Sequence, residues 1–158
     1  MATLTERMES QMKKAFWDLL QEKVSAQPPD FDWITRLYTE IRDRLMSFVR
    51  KGGKLHTEIE EAFDTDLFSQ MIRNDAFDGG DMLRLVESTF AYISALQAPY
   101  RDAELLSVKA TILTRASEGG TFAEIVPLYI RSVHKLLDYI EYDLKQLAKR
   151  GSENKTSS

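Results

Sequence analysis

The sequence predicts an all-α fold, a single-domain bundle of about six to seven helices, and three observations carry that reading. Apolar residues recur every three or four positions in segment after segment. Each segment is bounded by glycine, proline or a side chain suited to capping a helix. No stretch alternates apolar and polar residues over strand length with turn chemistry around it, so no sheet is expected. At 158 residues the chain suits one domain, because two would each struggle to enclose a core. With 43% hydrophobic and 29% charged residues it has the composition of a chain that folds unaided.

The first helix spans Thr3 to about Ser25, with Leu4, Met8, Met12, Ala15, Phe16, Leu19, Leu20 and Val24 as its buried stripe. Pro28-Pro29-Asp30 ends it, since residues before proline avoid helical backbone, and Asp30 can cap the next helix. The second helix carries Trp33, Ile34, Leu37, Tyr38, Ile41, Leu45, Phe48 and Val49. It closes at Arg50-Lys51 before Gly52-Gly53, where cations and glycine both suit a C-terminus. Thr57 with Glu60 reads as a capping box opening a short third helix, with Ile59, Ala62 and Phe63 inward. Asp64, Thr65 or Asp66 caps a fourth, which carries Leu67, Phe68, Met71 and Ile72 and ends near Asn74.

Gly79-Gly80-Asp81 precedes a fifth helix with Met82, Leu85, Val86, Phe90, Ile93 and Leu96 in its stripe, stopped by Pro99. The sixth buries Leu105, Leu106, Val108, Ile112 and Leu113 and stops at Gly119-Gly120. The last begins at Thr121, with Glu124 as capping-box partner, and runs to about Lys149. Pro127 inside it predicts a kink or a late start. The helical domain thus covers 1–150, and the polar segment Gly151 to Ser158 is expected to be disordered.

Several function classes are disfavoured by composition. The absence of cysteine removes disulfides, thiol nucleophiles and cysteine metal sites. Met1-Ala2-Thr3 does not open a signal peptide and no apolar run reaches the ~18 residues of a membrane span, so a cytoplasmic protein is expected. Net charge is −4 with basic residues dispersed among acidic ones, which is not the footprint of a nucleic-acid binder. Neither His56 nor His134 has the Glu-x-x-His spacing of a di-iron bundle. Gly52-Gly53-Lys54 is no phosphate loop, because Phe48 stands where a glycine is needed. Glu58, Glu60, Glu61, Asp64 and Asp66 lack the glycine-bent spacing of a calcium loop and read as a solvated helix face with a cap. No catalytic residue, cofactor or metal is therefore expected, and the chain is read as not an enzyme.

Three blocks resemble the N-terminal half of the t-complex-eleven family. They are Lys14-Ala15-Phe16-Trp17-Asp18-Leu19-Leu20 continuing to Ser25-Ala26-Gln27-Pro28-Pro29-Asp30-Phe31, then Glu58-Ile59-Glu60-Glu61-Ala62-Phe63-Asp64, then Ala98-Pro99-Tyr100-Arg101-Asp102. The first is the specific one, a Phe-Trp-Asp turn followed by Pro-Pro-Asp-Phe. The resemblance covers residues 13–105 of a family whose members are usually longer. It implies a non-enzymatic protein-interaction or scaffold module linked to cAMP-dependent kinase signalling. The alternative is a peripheral membrane or lipid-binding helical domain, suggested by the long amphipathic helices but not by their polar faces, which are not enriched in Lys and Arg.

Four residues emerge as candidate partner contacts: Trp17, Glu58, Glu61 and Arg101. Trp17 stands beside Phe16, which occupies the main stripe, so its ring is expected to turn from the principal buried face and lie half exposed as an anchor. Arg101 and Asp102 are expected to pair with the acidic segment from Glu58 to Asp64.

Overall fold

In a computed structural model, described for residues 3–25 and 30–156, the apolar periodicities resolve into seven α-helices with no strand among the described residues. They are α1 (Leu4–Ser25), α2 (Phe31–Ser47), α3 (Lys54–Ala62), α4 (Thr65–Arg73), α5 (Gly79–Leu96), α6 (Asp102–Ser117) and α7 (Phe122–Thr156), with a 3-10 turn at Pro99–Arg101 leading into α6. α7 is the central element and packs against α1, α2, α5 and α6. Its Ile125, Val126, Tyr129, Ile130, Val133, Leu136, Leu137 and Ile140 are all buried. They recur at the helical spacing, which makes one continuous apolar stripe.

α2 buries Ile34, Leu37, Tyr38, Ile41 and Leu45. Tyr38 lies near Val126, Tyr129 and Ile130, and Arg44 reaches His134 and Asp138, so α2 and α7 run in the same direction. α3 and α4 pack on α2, whereas α5 packs on α6 and α7. One buried polar pair joins α5 to α7: the Thr89 and Tyr129 hydroxyls are 2.7 Å apart, and Thr89 Oγ1 also donates to the Leu85 carbonyl. Burial pushes the Tyr129 phenol well above its ordinary pKa, so it stays a neutral hydrogen-bonding group.

The caps show which local signals were sufficient. Asp30 accepts from the Trp33 N–H at 3.1 Å, and Asp64, among its three candidates, caps α4 through the Leu67 N–H at 3.0 Å. α3 begins a turn earlier than the Thr57-Glu60 spacing predicts. Gly53 is its N-cap, and the Thr57 hydroxyl donates instead to the Gly53 carbonyl at 3.2 Å. α5 opens at Gly79 under a capping box of Asp78 and Asp81. α6 ends where Gly119 takes φ +84, a backbone conformation that costs glycine nothing, and the Gly120 N–H donates to the Arg115 carbonyl at 3.0 Å.

Three expectations are corrected. α7 starts at Phe122 and runs through Pro127, so the late start does not occur, and it continues past Lys149 and Gly151 to Thr156. Leu4, Met8, Met12 and Ala15 of α1 are exposed rather than buried, Leu4 by 72% and Met12 by 70%. Leu106 and Ala62 are also exposed. The physical reason on α1 is that its packing is almost entirely against α7, with little against α2, so a long stripe has more apolar surface than neighbours to cover it. The Pro28-Pro29 corner and the side chains of Phe16, Leu19, Leu20 and Val24 lie outside the described residues.

Replacing Asp30 with Ala removes the acceptor for the Trp33 N–H and is expected to lower unfolding stability by about 1 kcal/mol. Chemical denaturation followed by circular dichroism measures it; an unchanged midpoint would mean the cap contributes nothing.

Candidate functional site

Arg101 lies elsewhere than the local spacing predicts. The 3-10 turn packs on α6, and its Tyr100 and Arg101 reach the C-terminal half of α7 rather than the acidic segment. The partner of Arg101 is Asp143. Arg101 Nε donates to Oδ2 at 2.7 Å and Nη2 to Oδ1 at 2.9 Å, a bidentate pair whose side chains are only 13% and 16% exposed. Tyr100 adds a 2.6 Å hydrogen bond to Asp143, and the guanidinium lies over the rings of Tyr100 and Tyr139 at 4.7 and 4.3 Å. The Arg101 hydrogen bonds hold the Asp143 carboxyl down at about 2, and those same bonds push the guanidinium pKa up. Asp102 is bonded by Gln97 Nε2 at 2.9 Å, again not by the acidic segment. Arg101 thus locks a turn to α7.

Trp17 is partly buried, but its ring is directed to α7, not away from the packed side of α1. It lies 6.1 Å from His134 and forms one wall of a cleft of about 290 Å³ with Asp18, Arg115, Glu124, Pro127, Leu128 and Arg131. Behind it, Arg44 donates from Nη1 to His134 Nδ1 at 3.0 Å and from Nη2 to Asp138 at 2.8 Å and Glu141 at 3.2 Å. A guanidinium can only donate, so Nδ1 is the acceptor and the ring proton sits on the buried Nε2. Burial, followed by the Arg44 charge, lowers the His134 pKa to about 4, with Asp138 opposing.

Glu58 and Glu61 are exposed on α3. Lys54 approaches Glu58 only to 4.0 Å, a solvated contact of small worth. They precede Ala62 on α3 by one turn and by one residue, and Ala62 lines a groove that no short-range signal in the sequence announces. It encloses about 220 Å³ between α5 on one side and the α3–α4 corner on the other. Leu67, Met71, Phe77 and Leu85 give it apolar walls, and Asp64, Asp81 and Arg84 stand among its lining residues. Beneath lies an aromatic cluster: Tyr38 stacks on Phe68 with centroids 4.0 Å apart, and Phe77 meets Phe68 edge-on at 5.5 Å. Leu67 is 52% exposed. Two phenols sense the nearby carboxylates: Tyr38 is pushed up to about 12 by burial and then by Asp64, and Tyr92 is raised by burial and then by Glu58. Among the described residues no group of three His, Asp or Glu side chains is placed to hold a metal ion. No helix among them is long and apolar enough to cross a membrane.

These features define an all-helical protein with an open, acid-rimmed apolar groove. The chain belongs to the T-complex protein 11 family, whose model matches residues 2–147. That span extends well beyond the blocks that carry the resemblance in the sequence. The T-complex protein 11 homolog of Homo sapiens is 35% identical over 102 residues, which is 64% of this chain and 20% of that protein. The Rattus norvegicus homolog is 37% identical over 82 residues, 51% of this chain and 14% of that protein. The T-complex protein 11 of Mus musculus is 34% identical over the same length. The chain therefore spans a fifth or less of the length of these relatives. No solved structure matches it.

Two outcomes follow from the charged contacts. Asp143→Asn keeps the shape but removes the charge of a mostly buried bidentate pair, and should cost roughly 2 kcal/mol at neutral pH. Because the folded pKa is depressed, this stabilisation is present above the unfolded value of about 3.9 and is lost as pH falls toward about 2. Denaturant titrations of both proteins should converge across that window. For His134 the folded pKa is also depressed, so below the unfolded value of about 6.5 the unfolded chain binds the proton more readily. The melting temperature should fall between pH ~6.5 and about 4 and fall less in His134→Leu; identical pH profiles would contradict the buried neutral imidazole.

Proposed function

We propose that this chain is a non-enzymatic protein-interaction module, a scaffold or docking unit that works in the cytoplasm. The observation that carries this reading is the groove between α5 and the α3–α4 corner, where Leu67 and Met71 stay accessible over an ordered aromatic floor. Apolar surface rimmed by polar groups is one form that a protein-binding groove takes. None of the four sequence candidates lines this groove: Glu58 and Glu61 are exposed on α3 ahead of the lining Ala62, Arg101 is engaged internally and Trp17 lines a separate cleft. The family resemblance adds a link to cAMP-dependent kinase signalling as the pathway such a module serves.

A second reading has one observation in its favour. The exposed Leu4, Met8 and Met12 lie on one face of α1, as they would in a helix that rests on a lipid surface. Affinity purification from native cells, with the wild-type chain and Leu67→Glu side by side, separates the two. The interaction reading expects a cAMP-dependent kinase subunit or its binding partner to co-elute with the wild type and to be depleted with the variant. Co-sedimentation with anionic liposomes, without any protein that depends on the groove, would replace it with the lipid reading.

A further inference from the structure

The groove has a length, a floor and a charge, and together they specify an occupant. One wall is α5, where Asp81, Arg84, Leu85 and Ser88 recur at helical spacing. From Asp81 to Ser88 the wall runs ~10 Å, two turns of helix. The other wall is the corner of α3 and α4, with Ala62, Asp64, Leu67 and Met71. Leu67 and Met71 stand one helical turn apart on α4 and Leu85 lines the opposite wall, a spacing that suits a ligand presenting apolar side chains at every third or fourth position.

The rim is unequal in sign. Asp64 and Asp81 line the groove, and Glu58 and Glu61 project from α3 beside it. Arg84 is the one cation among the lining residues, and it is bonded to Asp81. Asp64 reaches the groove electrostatically, since burial and then the Asp64 charge raise the phenol of Tyr38, a lining residue. Such a rim attracts cations and repels anionic lipid headgroups.

We infer that the groove docks a basic amphipathic helix of a protein partner. Its apolar face lies on Leu67, Met71 and Leu85, and its Lys or Arg side chains face Glu58, Glu61 and Asp64. This assignment rests on the interaction reading and narrows it to one class of ligand. It differs from an interfacial helix or a nucleic acid, neither of which an acidic rim would favour.

The test is selection from a displayed library of random peptides of about 16 residues, long enough as a helix to span the groove. The whole chain is the bait, and an enriched peptide is then fluorescein-labelled and titrated by anisotropy. Enriched sequences should be net basic, with apolar residues spaced i, i+3 or i+4 and i+7. Leu67→Glu should weaken binding at least about tenfold, and so should Glu58→Lys combined with Glu61→Lys. Affinity should fall as salt rises from about 0.05 to 0.5 M. Leu67 is 52% exposed, so its substitution should leave the helical spectrum intact; Leu83→Glu, on α5 but outside the groove and 49% exposed, should bind as the wild type does. Enriched peptides that are acidic, or whose binding ignores Leu67→Glu, overturn the groove assignment while leaving an interaction module that uses another face. Failure to enrich any peptide, together with sedimentation on anionic vesicles, overturns both.

Discussion

Burial of α7 is the constraint from which the rest of the architecture follows. Among the described residues no other helix contributes so long a row of buried apolar side chains, from Ile125 to Ile140. At about 1.5–3 kcal/mol for each such side chain, covering that row requires several neighbours, and α1, α2, α5 and α6 supply them. Pro127 is tolerated because it falls near the start of α7, where the carbonyl it leaves without an N–H partner lies at the helix end. The Thr89–Tyr129 hydrogen bond is buried and fully satisfied at the α5–α7 contact, so it fixes how α5 sits on α7 without leaving an unpaired polar atom.

Arginines from outside α7 then pin its margins. Arg44 spreads its donors over His134, Asp138 and Glu141, and Arg101 clamps Asp143 from the turn before α6. The second is more than a contact between points in solvent. Arg101 and Asp143 are mostly buried, two hydrogen bonds fix their relative plane, and Tyr100 and Tyr139 screen them from water. The pair between Lys145 and Glu141, on one exposed helix face, adds little by comparison. α7 is thus held along its length by apolar packing and in its register by charge.

This division explains what could be read from the sequence. The helices and most of their ends were legible because stripe and cap are local: Asp30, Asp64 and Gly119 act where spacing puts them. The α3 start was misplaced because Thr57 and Glu60 match a capping box while Gly53, one turn earlier, already begins the helix. Exposure of Leu4, Met8 and Met12 was not legible, since periodicity shows that a helix has an apolar face but not whether another element reaches it. Arg101 was drawn to the densest acidic run, yet its partner is Asp143, at a comparable 42 positions on the other side, and Arg44 meets His134 across 90. Such pairings are set by how helices cross. The groove was hidden for the same reason: Glu58 and Glu61 are read easily as an acidic face, but Leu67 and Leu85 become neighbours of that face only when α4 and α5 are placed.

The groove itself is a consequence of helix length. α3 and α4 have nine residues each and turn sharply at Phe63 and Asp64, so together they cover part of α2 but cannot follow the eighteen-residue α5. α5 commits its buried face to α6 and α7, and the space left between it and the corner is floored by rings that already belong to the core. The acidic rim has an equally local origin. Asp64 caps α4, Asp66 occupies its first turn, and Asp78 with Asp81 closes the start of α5; carboxylates are favoured at each of these places by unpaired backbone N–H groups and the helix dipole. Two helix starts meet at one opening, so the residues that stabilise those starts also give the opening its charge. The recognition chemistry of this surface is therefore built largely from groups the fold already requires, and Leu67, exposed and uninvolved in capping through its side chain, is the place where binding can be changed while the fold is kept.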